Sequence, residues 1–322
     1  MKTQTNSDNK IDATTDTNRR PDASASRQRR GLLFALIGGA LWGFSGACGQ
    51  FLFRFEAIDS GWLTVTRMLL SGIILLTVSL LQPAKRPGLR AVWQAPKDAL
   101  RLIIFSLLGL TSCQYTYLTA ISYSNAGTAT VLQYLGPALI LIVTCVMALR
   151  LPSRRELLAV LLAIGGTFLL ATHGVPGSLV ISQKGLFWGL ASAVALMLYT
   201  MLPGDLIRRY GSTVIVGYGM LLGGLFLFFV LGYWRYHIDW EPALVFGVAA
   251  IVLVGTALAF TLYLQGVSDA GSVKASMAAC VEPVSATLLS VFWLGTSFAP
   301  IDAVGLLMIV TTVLLLSYQP KH

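Results

Sequence analysis

Apolar segments long enough to cross a membrane recur along this chain from Gly31 to Ser317 with few interruptions. A helix of about 20 residues rises about 30 Å, which is the thickness of the hydrocarbon core of a bilayer. Only 11% of the residues are charged and 55% are hydrophobic, so there is too little polar surface for a soluble domain. The sequence therefore predicts an all-α integral membrane protein.

The apolar pattern predicts ten transmembrane helices. They are placed near residues 31–53, 61–82, 100–123, 126–149, 155–173, 184–202, 213–234, 242–267, 271–294 and 301–318. The 23 Lys and Arg residues concentrate in the tail and in alternate connections. Positively charged loops favour the cytoplasmic side, which predicts that both termini are cytoplasmic and requires an even number of helices. This distribution also accounts for the net charge of +9, and no nucleic-acid partner is predicted.

The sequence repeats itself once. Residues 30–34 resemble residues 184–188, 154 positions later, whereas Tyr117-Leu118 and Pro137 match Tyr263-Leu264 and Pro283 at an offset of 146. A single gap in the loop at 83–98 reconciles the two offsets. The prediction is a disordered cytoplasmic tail (1–30), a first five-helix repeat (31–173), an extracytoplasmic loop (174–183), a second repeat (184–318) and a cytoplasmic end (319–322). Because each repeat has an odd number of helices, the second is inverted, an arrangement that transporters use to form a site between their halves.

Four short motifs occur in the order and spacing of one known family. They are Trp42-Gly43, Arg67, Asn125-Ala-Gly127 leading to Gly136-Pro137, and Ser268-Asp-Ala-Gly271 leading to Glu282-Pro283. In these motifs the chain resembles EamA-type members of the drug/metabolite transporter superfamily. The resemblance implies a cavity lined by the first, third, fourth, sixth, eighth and ninth helices, export or exchange of amino acids or similar metabolites, and a place in the bacterial cytoplasmic (inner) membrane.

Glu282 is the strongest single candidate for a functional residue. It is predicted to lie near the middle of the ninth helix, where an ionisable group is costly and usually faces a cavity or a partner. Pro283 follows it and leaves a helix carbonyl without its usual donor. A site for proton coupling or for a substrate amine competes with a structural glutamate beside a kink. Gly136 is its counterpart in the repeat, so packing of the repeats does not itself require a carboxyl group.

Arg67 is a second candidate, because the repeat places Leu221 at the corresponding position. Its long side chain can reach the lipid headgroups or form a structural ion pair. It can also bind the carboxylate of a substrate. The sequence leaves these interpretations open.

The fourth helix presents Thr130, Gln133, Tyr134 and Pro137 on one face by helical spacing. Such a face can belong to a solute site, with a helix break at Gly136, Pro137 and, in the second repeat, Pro283; it can also bind neighbouring helices by hydrogen bonds. The further cavity candidates are aromatic or amide residues, namely Trp42, Gln114, Tyr117 and Tyr199.

Taken together, these features predict a secondary transporter of neutral or zwitterionic metabolites, with export favoured. The alternatives are efflux of drugs or cations by the same fold and, from another class, an intramembrane hydrolase or a lipid flippase. An enzyme is not expected, because His173, His237 and His322 all lie at helix ends, in a loop or at the terminus. No nucleotide-binding GxxxxGK[ST] motif is present, so coupling to protons is the hypothesis for energy. No metal or cofactor is predicted; the partners are a small solute and membrane lipid, and the oligomeric state is left open, with a monomer compatible.

Overall fold

A computed structural model describes residues 20–175 and 179–317, and this part of the chain is helical throughout its regular structure. Ten long helices account for most of it. They are α1 (Arg20–Phe55), α2 (Ser60–Leu81), α3 (Pro96–Tyr123), α4 (Ala126–Met147), α5 (Arg154–Thr172), α6 (Gln183–Met201), α7 (Ser212–Val230), α8 (Pro242–Ala270), α9 (272–292) and α10 (Pro300–Ser317). Two short helices, Arg86–Gln94 and Gly204–Tyr210, lie in connections between them.

Nine of the described helices are long and apolar enough to span a bilayer, and α10 contributes a tenth, slightly shorter apolar helix. α10 packs antiparallel to α5, where Gly166 and Gly305 approach each other's backbone. Two turns away, the Thr312 hydroxyl donates a hydrogen bond of 3.0 Å to the Ala159 carbonyl. Since α10 runs alongside α5, the two have matching depths. The predicted all-α membrane protein with ten transmembrane helices is confirmed.

α1 begins earlier than predicted. The sequence predicts a disordered tail up to residue 30, but the helix already starts at Arg20. Arg27 and Arg30 donate hydrogen bonds of 3.0 Å and 2.9 Å to the carboxylate of Asp269 in α8. Extending a formed helix costs little per residue, and these bonds stabilise the added turns. The assignment is therefore wrong for residues 20–30, while residues 1–19, 176–178 and 318–322 lie outside the described residues.

The packing partners of each helix correspond to those of its counterpart in the other repeat. α1 packs on α8 and α9, and its counterpart α6 packs on α3 and α4 in the same way. α2 packs on α7, α4 on α9 and α5 on α10, each with its own counterpart. This exchange pattern is that of two structural repeats related by a pseudo-twofold axis. With five helices in each half, the two repeats run through the membrane in opposite directions.

Both repeats carry the same two helix irregularities. The third helix of each repeat contains a π-helical segment, Phe105–Thr111 in α3 and Ala250–Leu258 in α8. The fourth helix is broken: α4 stops at Gln133 and resumes at Gly136, and α9 stops at Ala279 and resumes at Val281. Each break precedes a proline, because Pro137 and Pro283 have no N–H to bind the carbonyl four residues back. The sequence predicted both breaks; the π-helical segments, a feature often found at functional sites, were not predicted.

Glycines allow α1 to approach the broken helix α9 closely. A Cβ atom at Gly43 would lie 2.6 Å from the Glu282 carbonyl oxygen and would also overlap the Ser285 hydroxyl, and one at Gly39 would lie 2.7 Å from the Ala279 carbonyl oxygen. These obstacles are mostly backbone atoms, which cannot rotate away. Gly39 and Gly43 of α1 are therefore required for its close contact with the break in α9.

Gly43→Ala is expected to lower the free energy of unfolding by about 1–3 kcal/mol, because the added methyl group has no space at the α1–α9 crossing. Gly204→Ala is the matched control, since a Cβ there meets nothing within 4 Å. Thermal unfolding in detergent would measure both. Equal melting temperatures for the two variants would contradict the packing argument.

Candidate functional site

Glu282 lies at the start of the second half of α9, immediately after the break at Cys280. Its Oε2 atom accepts a hydrogen bond of 2.9 Å from the hydroxyl of Tyr134, which lies at the corresponding break in α4. The same hydroxyl lies 3.4 Å from the Ala279 carbonyl oxygen, the carbonyl that Pro283 leaves without a donor. The two breaks therefore meet, and Glu282 sits half-buried between the repeats.

Arg67 of α2 is buried inside the protein, with only 6% of its surface exposed. Its Nε atom lies 3.4 Å from the hydroxyl oxygen of Thr256, in the π-helical segment of α8. The interpretation that Arg67 extends to the lipid headgroups is wrong, because such a side chain would be exposed. In the described part of the chain, no hydrogen bond to Nη1 or Nη2 is found. The Nη1 and Nη2 groups of Arg67 are therefore hydrogen-bond donors that an acceptor group could use.

Arg67 and Glu282 are close enough to interact electrostatically, but they are not in contact. No N–O distance of 4 Å or less joins them among the ion pairs of the described residues. Two opposite charges in a medium of low dielectric attract strongly. Because they do not pair with each other, each charge can interact with a third group.

Two more candidates from α4 point toward α3. The Tyr117 hydroxyl, on a side chain that is almost fully buried, lies 2.7 Å from the Thr130 hydroxyl oxygen. The Gln133 amide nitrogen lies 3.6 Å from the Cys113 sulfur. These bonds tie α4 to α3 within the first repeat. The break that follows Gln133 interrupts the predicted face, and among its described members it is Tyr134 whose hydroxyl extends across to Glu282.

The remaining cavity candidates are half-buried and lie around this core. The Trp42 ring packs against Tyr263 and Phe260 of α8, with ring centroids 5.0 Å and 5.2 Å apart. The Tyr199 ring lies 5.8 Å from that of Phe105. The Gln114 side chain has no hydrogen bond among the described residues. Trp42 and Tyr199 are thus held by contacts with aromatic rings of neighbouring helices, and Gln114 does not join the others.

Two serine hydroxyls are buried without a hydrogen-bond partner among the described residues. Ser71 follows Arg67 by one turn of α2, and Ser45 lies in α1, where a Cβ atom at Gly255 of α8 would contact it. Buried hydroxyls are nearly always bonded, and those that are not usually bind water or a ligand. Ser71 therefore adds a second polar group to the face of α2 that carries Arg67.

The match to a family model covers both repeats. The model of the EamA-like transporter family matches residues 29–172 and again residues 183–318. The chain belongs to the EamA-like transporter family. It is therefore a transporter, and the two matched segments correspond to the two structural repeats described above.

Two relatives and one solved structure are similar over most of this EamA-like transporter. An uncharacterized inner membrane transporter, YicL of Salmonella typhimurium, is 42% identical over 294 residues, which cover 91% of this chain and 97% of that protein. An uncharacterized transporter of Archaeoglobus fulgidus is 25% identical and covers 70% of this chain and 78% of that protein. One crystal structure shares the fold, with a TM-score of 0.59, 17% sequence identity, and coverage of 90% of this chain and 96% of that chain.

Sequence reasoning missed three residues near the centre of this EamA-like transporter. Thr256 contacts Arg67, Cys113 contacts Gln133, and Ser71 lies one turn from Arg67. Small polar residues are common in membrane helices and usually bind the backbone of their own helix, so nothing in their spacing distinguishes them. Their neighbours across the bundle could only be seen in the tertiary structure.

Proposed function

We propose that this EamA-like transporter moves a small zwitterionic or neutral metabolite of the amino acid class through the space between its repeats. In this proposal Glu282 binds the amine and Arg67 binds the carboxylate. The observation that carries it is a pair of opposite charges, the buried Arg67 and the half-buried Glu282, that lie near each other without contact. Tyr134, Gln133, Tyr117, Gln114, Tyr199 and Trp42 would line the same space, and the breaks at Gly136, Pro137 and Pro283 would supply free backbone groups.

A bound zwitterionic solute would give both Glu282 and Arg67 a partner of opposite charge. A charge inside a membrane protein is costly unless it is paired or hydrogen-bonded. Glu282 has one described hydrogen-bond partner, Tyr134, and Arg67 has one, Thr256. A zwitterion placed between them would give each group a partner of opposite charge, with stronger, charge-assisted hydrogen bonds. A solute with two like charges would leave one of them unpaired.

We further propose that Glu282 couples transport to protons and that net transport is export. A carboxyl group between the repeats can carry a proton in one conformation and bind a solute amine in the other. Support for export comes from the resemblance in sequence alone. Protons would then enter as solute leaves, with the proton gradient as the source of energy.

For the topology, we propose that this protein lies in a bacterial inner membrane with both termini facing the cytoplasm. The name of the YicL relative, an inner membrane transporter, supports the choice of membrane. Arginine-containing ion pairs support the proposed orientation. Arg27 and Arg30 with Asp269, Arg209 with Asp98, and Arg150 with Glu156 all lie on the membrane side where α1 begins. The Glu156 carboxylate, through its hydrogen bond, raises the pKa of the Arg150 guanidinium. Positively charged ends are retained in the cytoplasm.

Efflux of an organic cation is the second candidate. The aromatic rings of Trp42 and Tyr263 lie beside the α1–α9 contact at Glu282, and aromatic faces with one carboxylate bind quaternary or planar cations. In this case Arg67 would repel the substrate.

Counterflow in proteoliposomes separates these candidates without assuming an energy source. Vesicles preloaded with unlabelled solute would be tested with labelled neutral amino acids, amines without a carboxylate, and aromatic cations. We expect exchange of amino acids that depends on both Glu282 and Arg67. Exchange of cations alone would favour the second candidate, and turnover of a peptide or lipid without any exchange would contradict both.

A further inference from the structure

Gln50 near the end of α1 joins both repeats in one buried hydrogen-bond cluster. Its Oε1 atom accepts hydrogen bonds of 2.8 Å from the Ala126 backbone N–H and from the Ser290 hydroxyl. Its Nε2 atom donates one of 2.8 Å to the Thr296 hydroxyl. Gln50 and Ser290 are 5% and 2% exposed. We name these four residues the Gln50 cluster and the membrane side on which they lie the Gln50 end.

The cluster joins two groups of helices that otherwise pack mainly within themselves. α1 packs on α8 and α9, and α6 packs on α3 and α4. Ala126 begins α4 and has a backbone N–H without an acceptor in its own helix. Gln50, from the other group, satisfies it. At this end the solute space is therefore closed by hydrogen bonds between the groups.

The positions related to this cluster by the repeat lie in open surroundings at the opposite end. Gly204 corresponds to Gln50, Thr144 to Ser290 and Arg150 to Thr296. A Cβ atom at Gly204 would meet none of the described residues within 4 Å, and Thr144 and Arg150 are exposed. Two equivalent ends of a pseudo-symmetric molecule are thus in different states. One is sealed, and the other, the Gly204 end, is open.

We propose that Gln50 is the residue that holds the Gln50 end closed, and that the structure represents the conformation open at the Gly204 end. In an inverted repeat the opposite conformation arises when the two halves exchange their arrangements. The Gln50 cluster must then separate, and backbone near Gly204 must pack closely, which glycine permits because it has no side chain. The Gln50 end closes through hydrogen bonds of the Gln50 side-chain amide, and the Gly204 end closes through tight packing of the backbone at glycine. This inference rests on the transporter function and on the proposed topology, in which the Gln50 end is extracytoplasmic.

The test uses a cysteine reporter at Thr287, whose side chain is 4% exposed and abuts Gly127 where α9 crosses α4. Thr287→Cys is introduced into a protein in which Cys48, Cys113, Cys145 and Cys280 are replaced by serine. A membrane-impermeant maleimide is then added to right-side-out and to inside-out vesicles. We expect slow labelling of the reporter, and a labelling rate about tenfold higher when Gln50→Leu removes the hydrogen bonds of the cluster.

Two further variants complete the experiment. Gln94→Leu is the matched control, because Gln94 is exposed at the end of the helix Arg86–Gln94, and it should leave labelling unchanged. Gly204→Leu should prevent closure of the Gly204 end, abolish counterflow and keep the reporter protected, and its result does not depend on the folding of Gln50→Leu.

The outcomes test the closing role of Gln50 separately from the proposed topology and the proposed substrate class. Unchanged labelling in a folded Gln50→Leu protein would overturn the role of Gln50, and normal counterflow in Gly204→Leu would overturn closure of the Gly204 end by glycine packing. An increase confined to inside-out vesicles would support the closing role and reject the topology. Labelling does not require a substrate. A higher labelling rate in a protein without amino acid counterflow would therefore support the closing role of Gln50 and reject only the proposed substrate class.

Discussion

Glu282→Gln is expected to reduce counterflow of amino acids by about 10- to 100-fold, the loss that follows from replacing a charged hydrogen-bond acceptor by a neutral one. The amide keeps the size of the side chain and can still bind the Tyr134 hydroxyl. It cannot offer a negative charge to a solute amine, nor can it carry a proton. A transporter driven by protons should therefore also lose its response to an imposed pH gradient. Initial rates in proteoliposomes, with and without such a gradient, would measure both effects.

Two variants separate the charge of Glu282 from its contacts. Glu241→Gln is the matched control, because Glu241 is exposed at the start of α8, and transport should be unaffected. Tyr134→Phe removes the hydrogen bond to Glu282 but keeps the carboxyl group, so a loss of about fivefold is expected, in line with about 1 kcal/mol for one hydrogen bond. If Glu282→Gln retained uptake driven by the pH gradient together with its dependence on pH, Glu282 would be a structural residue and proton coupling through it would be wrong.

Arg67→Gln is expected to lower transport of solutes with a carboxylate by about 100-fold, because truncating one partner of a buried charge pair costs about 2–5 kcal/mol. Amines without a carboxylate should be affected much less, since they would bind at Glu282 alone. Arg67→Lys keeps the charge but loses the planar, two-pronged donor geometry, and about a tenfold loss is expected. Competition by unlabelled amino acids and amines against one labelled substrate would show this selectivity.

Arg29→Gln is the control for the loss of an arginine, because Arg29 is exposed near the start of α1. Thermal stability in detergent should be measured in parallel for all the variants. Equal losses for amino acids and for simple amines in Arg67→Gln would indicate that Arg67 stabilises the helix bundle through Thr256 without binding a carboxylate.

The architecture could be predicted because it depends on local and repeated features. Apolar length predicts membrane helices, and Pro137 and Pro283 predict the breaks in α4 and α9, since each physical cause lies within a few residues of its effect. The repeat was visible because similar residues recur at regular offsets. The start of α1 was misplaced because its polar first turns are stabilised by Asp269, which lies 239 positions beyond Arg30 along the chain.

The site was predicted only as a set of separate residues. Charge and depth identified Glu282 and Arg67, but the sequence could not show that Tyr134 reaches Glu282 across the two breaks, or that Arg67 is buried against Thr256. Gln50 was overlooked, although an amide in an apolar helix was a signal in itself. Which buried groups meet depends on the packing of helices that are distant in sequence, and the difference between the Gln50 and Gly204 ends depends on the conformation. A sequence compatible with both alternating states can determine the helices and their repeat, whereas only the tertiary structure decides which end is closed.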